Sequence, residues 1–240
     1  MSTVGNWRGP NIVKDGLVFY IDAGSNNSYY PPSAGVAWND ISGNGYNCTL
    51  TNGPTYSSLN GGSIVFDGSD DRVSRTGNVN TGQNFTVNSW IYPTLLGTTR
   101  RAVVSNAYPS AGSRTGWFFS TAGASTNNTF FISIGQDNAY RVAAANTLSL
   151  NTWQHITAVV TGGGSTITLY LNGNTTSTAV SSLSSGTILY TDTVFNIGYR
   201  TAGSPDPYTG RIAHTTIYNR DLSQTEVQQN FNATRTRFGV

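Results

Sequence analysis

Apolar and polar residues alternate with a period of two in segment after segment of this 240-residue chain. Such alternation puts one side of an extended backbone into a core and the other outside it, so it predicts β-strands. The segments are Leu17–Ile21, Ser63–Asp67, Phe85–Tyr92, Ala102–Ser105, Trp117–Ser120 and Phe130–Ile134, followed by Trp153–Thr161, Thr166–Leu171, Val194–Gly198 and Arg211–Tyr218. Within Trp153–Thr161, Ile156, Ala158 and Val160 share one side, which leaves His155, Thr157 and Val159 on the other. Thr166–Leu171 runs into Asn172-Gly173, a pair suited to a tight hairpin because both residues tolerate positive φ. Clusters of Gly, Asn, Ser and Pro separate the segments, among them Gly162-Gly-Gly164 and Gly203-Ser-Pro-Asp-Pro207. Short strands at this spacing predict an all-β, antiparallel two-sheet β-sandwich of about a dozen strands.

One helix is predicted near the end. Ser223-Gln-Thr-Glu226 is a capping box, followed by Val227, Asn230 and Phe231 on one face. The expected helix stops before Arg235-Thr-Arg-Phe-Gly-Val240. No linker interrupts the strand rhythm. Residues 16–240 are therefore expected to form one domain, and residues 1–15 an N-terminal arm with Trp7 and Arg8 as docking residues.

Composition narrows the classes. Charged residues make up 10% of the chain, with one Lys (Lys14) and one Glu (Glu226), against about 25% in an average soluble domain. That argues against a helical protein, whose surfaces favour Lys and Glu. A net charge of +2 with scattered arginines argues against nucleic acid as a partner. No apolar run approaches the ~20 residues of a membrane span, and no signal peptide is recognisable at the start. Cys48 is alone, so no intrachain disulfide is expected.

Several segments together resemble one family. Trp153-Gln-His-Ile-Thr-Ala-Val-Val, a Gly-rich turn and Leu169-Tyr-Leu-Asn-Gly173 look like the central hairpin of laminin-G-like domains of the concanavalin A-like lectin/glucanase superfamily. Gly210-Arg-Ile212 and Ile217–Ser223 with Glu226 resemble its C-terminal signature. Gly16–Asp22, Trp38–Gly45 and Phe66–Asp71 resemble its opening. The resemblance implies a jelly roll with one concave sheet. Leu50–Tyr56, Asn60–Asp67 and Asn230–Gly239 further resemble the version found in structural proteins of tailed bacteriophages.

Candidate chemistry is sparse. Glycosidases need two carboxylates flanking the bond, and the one Glu sits in the capping box. His155 and His214 are read as hydrogen-bonded strand histidines, and Cys48 as a small buried residue. Asp67, Asp70 and Asp71 cluster around Gly68-Ser69, where they close a turn or supply oxygen ligands to a structural calcium. No cofactor is required. Tyr29, Tyr30 and Tyr208 are loop aromatics that could meet a glycan or a neighbouring subunit, with Asn138 and Arg200 adding polar contacts. Trp38, Trp90, Trp117 and Trp153 are expected in the core.

The leading expectation is a non-enzymatic virion protein of a tailed phage, a capsid decoration or appendage component assembled in the host cytoplasm. Its expected partners are the major capsid protein or appendage subunits, copies of itself in a symmetric oligomer such as a trimer, and host-surface or environmental glycans. The first alternative is a lectin-like carbohydrate-binding module, and the second a glycoside hydrolase.

Overall fold

In the computed structural model, the described residues are 11–31, 35–107, 115–123, 126–136, 139–146, 148–180, 187–190, 194–201 and 205–240. They form two antiparallel sheets and one long helix. The strands are β1 (Leu17–Asp22), β2 (Ala37–Trp38), β3 (Cys48–Thr51), β4 (Thr55–Ser57), β5 (Ser63–Asp67), β6 (Arg72–Arg75), β7 (Phe85–Pro93) and β8 (Arg101–Ala107). The second half adds β9 (Gly116–Gly123), β10 (Thr126–Gln136), β11 (Ala139–Asn146), β12 (Gln154–Thr161), β13 (Thr166–Leu171), β14 (Asn174–Val180), β15 (Val194–Ile197) and β16 (Thr209–Tyr218). The helix α1 spans Gln224–Phe238.

The first sheet runs β14-β13-β12-β7-β16-β5-β4, with β1 also paired to β16. The second runs β11-β10-β9-β8-β15-β6-β3-β2. Between them lies one apolar core containing Phe19, Phe66, Trp117, Phe119, Phe130, Ile156, Ala158, Val160 and Phe195. Strand parity explains the choice: Ile156, Ala158 and Val160 enter this core, whereas His155, Thr157 and Val159 take the opposite face. Phe85 and Trp117 stack across the core with ring centroids 5.0 Å apart.

The sixteen described strands exceed the expected dozen. The additional ones are short or polar. β2, β3, β4 and β6 have two to four residues each, and β11 and β14 lack a clean apolar alternation. The hairpin at Asn172-Gly173 forms as read, with φ of 51° and 77°. Gly162–Gly164 joins β12 to β13 as a turn, all three glycines at positive φ.

The capping box is complete. Ser223 Oγ accepts from the Glu226 amide at 3.4 Å, and Glu226 Oε2 accepts from the Ser223 amide at 2.8 Å. The helix does not stop before Arg235, as expected above. It continues to Phe238 and ends at Gly239 in the left-handed region, because Phe238 and Arg237 both have partners on the first sheet. Residues 11–15, read as part of an arm, lie against the body. The Val13 amide donates to Asn230 Oδ1 at 2.9 Å, and Tyr218 Oη donates to the Val13 carbonyl at 2.9 Å.

Candidate functional site

The outer faces of the two sheets differ. On the first sheet, cross-strand pairing sets His155 beside Trp90 and Trp90 beside His214 in one row. Helix α1 lies over this row. Trp90 stacks on Phe238 at 4.1 Å and on Phe231 at 5.7 Å, and its Nε1 donates to Thr234 Oγ1 at 2.8 Å. Arg237 crosses to Asp22, pairing at 2.6 Å, and donates to the carbonyls of Asn60 and Gly62. Both imidazoles are fully covered. Neither nitrogen of His155, nor Nδ1 of His214, has a hydrogen-bond partner, which corrects the expectation of hydrogen-bonded strand histidines. Burial pushes His155 down to about 3 and His214 down to about 4. Both are neutral near pH 7, and this face is closed.

The outer face of the second sheet holds a cleft of about 510 Å³. Its floor is one cross-strand row: Thr49 of β3 pairs with Ser74 of β6, which pairs with Asn196 of β15. Parity puts these three outside because Leu50, Val73, Phe195 and Ile197 point into the core. Arg72, Arg75 and Val194 complete the working surface. The Arg72 guanidinium lies over the Tyr199 ring at 5.6 Å. That of Arg75 lies over Tyr46 at 4.7 Å, with Nη1 donating to the carbonyls of Gly77 and Asn78 at 3.0 and 2.5 Å. Hydroxyls, an amide and two guanidinium groups equip the cleft to bind a polyhydroxylated or anionic ligand. They do not constitute an acid–base pair.

Most of the expected contact residues lie elsewhere. Tyr29 is not a solvent-reaching aromatic: it is 6% exposed, stacked on Tyr56 at 5.5 Å. Tyr208 is fully buried against Phe66, burial pushing its phenol well above the usual range. Arg200 is buried too, paired with Asp206 at 2.6 Å and lying over Phe118 at 4.4 Å. Tyr208 is held just beyond β15, its amide donating to the Gly198 carbonyl. Tyr30 is 46% exposed, as a contact residue requires. Trp7, Arg8 and Asn138 lie outside the described residues.

The three aspartates do converge, with carboxylate oxygens within 4.8 Å of one another. Their oxygens already close the local turn. Asp71 accepts from the Asp67 amide, Asp67 from the Ser69 amide, and Asp70 from Asn52 Nδ2. Burial, and then the neighbouring Asp67 and Asp70 charges, raise the Asp71 carboxyl against the lowering effect of its backbone hydrogen bond. Cys48 is buried, and burial holds its thiol up at about 12, so it is unreactive near neutral pH. No helix among the described residues is long and apolar enough to cross a membrane.

Two packed antiparallel sheets with one C-terminal helix define the class of concanavalin A-like β-sandwich domains. Sequence comparison agrees. The profile of the concanavalin A-like lectin/glucanases superfamily, laminin-G type, matches residues 67–228, and the chain belongs to that family. A search of curated proteins found no match. Among solved structures, the binding domain of Paraclostridial Mosquitocidal Protein 1 is similar over 92% of this chain and 52% of that one, with TM-score 0.70 and 20% identity. Domain 4 of AbnA, a GH43 extracellular arabinanase from Geobacillus stearothermophilus solved with arabinotriose, is similar over 90% of this chain and 98% of that one, with TM-score 0.67 and 17% identity. The binding domain of Botulinum Neurotoxin DC, solved with SialylT, gives TM-score 0.67 at 14% identity. The chain spans about half the length of the two toxin binding domains. At these identities the likeness shows the fold.

Proposed function

We propose that this chain is a non-enzymatic binding module that holds a carbohydrate in the cleft of the second sheet. The observation that carries the reading is the row Thr49–Ser74–Asn196, polar and open at Thr49 and Ser74 with Asn196 buried at its inner end, while the opposite outer face is sealed by α1. Sugar hydroxyls need fixed donors and acceptors on a rigid support, and side chains on neighbouring strands provide both. The family membership supports the reading, as does the arabinotriose bound to the domain of the arabinanase. The one Glu is engaged by Ser223 and Arg220 and is remote from the cleft in role, which supports binding over hydrolysis.

A glycan array with the full chain tests this, read beside Ser74→Tyr. That variant puts a ring into the cleft from an outward position. Binding by the parent and loss in the variant, at unchanged melting temperature, is expected. Equal binding by both would remove the cleft from the account.

The setting we propose for the module is a tailed-phage particle, where it decorates the capsid or an appendage and holds glycans. This rests on the resemblance of Leu50–Tyr56, Asn60–Asp67 and Asn230–Gly239 to phage structural proteins. Mass spectrometry of purified particles tests it. A fixed ratio to the major capsid protein is expected, and absence from particles would contradict it.

A further inference from the structure

We infer that the cleft of the second sheet selects an acidic sugar, one bearing a carboxylate or a sulfate, over its neutral counterpart. The inference rests on the carbohydrate reading above and narrows it.

Charge is the first argument. Arg72 and Arg75 line the cleft, and among the described residues no Asp or Glu lines it. The ion pairs among the described residues use Arg100, Arg200, Arg220 and Arg237, so neither cleft arginine has a carboxylate partner there. The aspartates of the Asp67–Asp71 turn form no ion pair with either arginine among the described residues. A chain with so few charges has placed two positive charges on one cleft, which favours an anion there.

The second argument is preorganisation. Each guanidinium rests on a tyrosine ring, and Arg75 is further tied to two carbonyls. Ordering an arginine on binding normally costs side-chain entropy, and here part of that ordering is already in place. A guanidinium presents planar N–H pairs that match a carboxylate or sulfate two at a time.

The third argument is the lack of a stacking platform. Neutral sugars are commonly gripped through their C–H faces by an aromatic ring, and among the described residues no Trp, Tyr or Phe lines this cleft. The two tyrosines beside it lie beneath the arginines. Thr49 and Ser74 are left to take hydroxyls, and the arginines to take the acid.

Calorimetry on the full chain tests this with three probes: tetragalacturonate, its methyl ester and a sulfated galactotetraose. We expect at least one acidic probe to bind about tenfold more tightly than the ester at low salt, the size of one charge-assisted hydrogen bond. The gap should narrow at about 0.3 M salt, where the Debye length is short. Arg72→Gln should close it while leaving the melting temperature unchanged. Preference for tetragalacturonate assigns the carboxylate, and preference for the sulfated probe assigns the sulfate. Binding in which neither acidic probe exceeds the ester, abolished for all three by Ser74→Tyr, would overturn the inference and leave the carbohydrate reading standing. Binding of no probe, together with a blank glycan array, would overturn both.

Discussion

The two outer faces of this sandwich are built by the same strand rule and end in opposite states. Each presents one residue in two from its strands. On the first sheet those residues include Trp90, His155 and His214, and a fifteen-residue helix closes over them. On the second they include Thr49, Ser74 and Asn196, and a cleft remains. The difference lies in what each row offers a covering element. An indole stacked on Phe231 and Phe238 stabilises a docked helix through apolar burial and ring contact. The hydroxyls of Thr49 and Ser74 offer a covering segment little apolar area and stay available to a ligand, while Asn196 at the inner end of the row is buried. One face contributes to stability and the other to recognition, so substitutions should separate the two properties.

Trp90→Ala should produce the largest loss. It removes a fully buried indole from the helix interface, and about 3–5 kcal/mol of unfolding free energy should disappear in urea titration. Ser74→Ala on the opposite face should stay within about 0.5 kcal/mol. A comparable loss at both positions would remove the distinction between the faces.

Arg237→Gln should cost about 3 kcal/mol, because it leaves Asp22 with an unpaired carboxylate that is largely buried. Thermal unfolding measures it. A second consequence is raised amide exchange in the last turn of α1.

Acid should destabilise the closed face. Folded His155 and His214 titrate at about 3 and about 4, against the ordinary 6.5 of the unfolded chain. Below pH 6.5 the unfolded chain binds protons that the folded chain does not. Stability therefore falls as pH drops from 6.5 to about 4, by up to ~1.4 kcal/mol per pH unit for each histidine. Above pH 6.5 the pair contributes no pH dependence. Asp22, Arg237 and Tyr20 are the other ionisable groups around His214, with Asp22 opposing the shift. Replacing both histidines by Gln should flatten this limb of the stability–pH curve. An unchanged limb would show that the protons are taken up elsewhere.

Ser223→Ala should have the smallest effect, about 1 kcal/mol, through loss of the cap. Glu226 should then titrate higher than its present value of about 2, which is held down first by Arg220 and then by its bonds to Ser223.

The closed face was largely legible in the sequence. Alternation marked β5, β7, β12, β13 and β16, the Asn172-Gly173 pair marked the hairpin, and the capping box marked the start of α1. The four tryptophans expected inside are buried, although Trp90 and Trp153 lie under the helix and not between the sheets. The open face was much less legible. β3 and β6 are four residues each, too short for periodicity to stand out, and the Thr51-Asn-Gly-Pro54 turn signal overlaps the end of β3. A usable signal was present in Phe195-Asn-Ile197, where a polar residue between two core residues must face outward. Arg200 and Tyr208 misled for a different reason. Gly203-Ser-Pro-Asp-Pro207 reads as an exposed loop, but the Arg200–Asp206 pair and the Gly198 carbonyl hold its flanks against the sheet.

The most direct measurement is an amide NMR titration of the full chain with the best-binding oligosaccharide. The account predicts shifts concentrated at Thr49, Ser74 and Asn196, with His155, Trp90 and the residues of α1 unmoved. Shifts centred on the helix-covered face, or on Tyr30 with the second sheet silent, would contradict it.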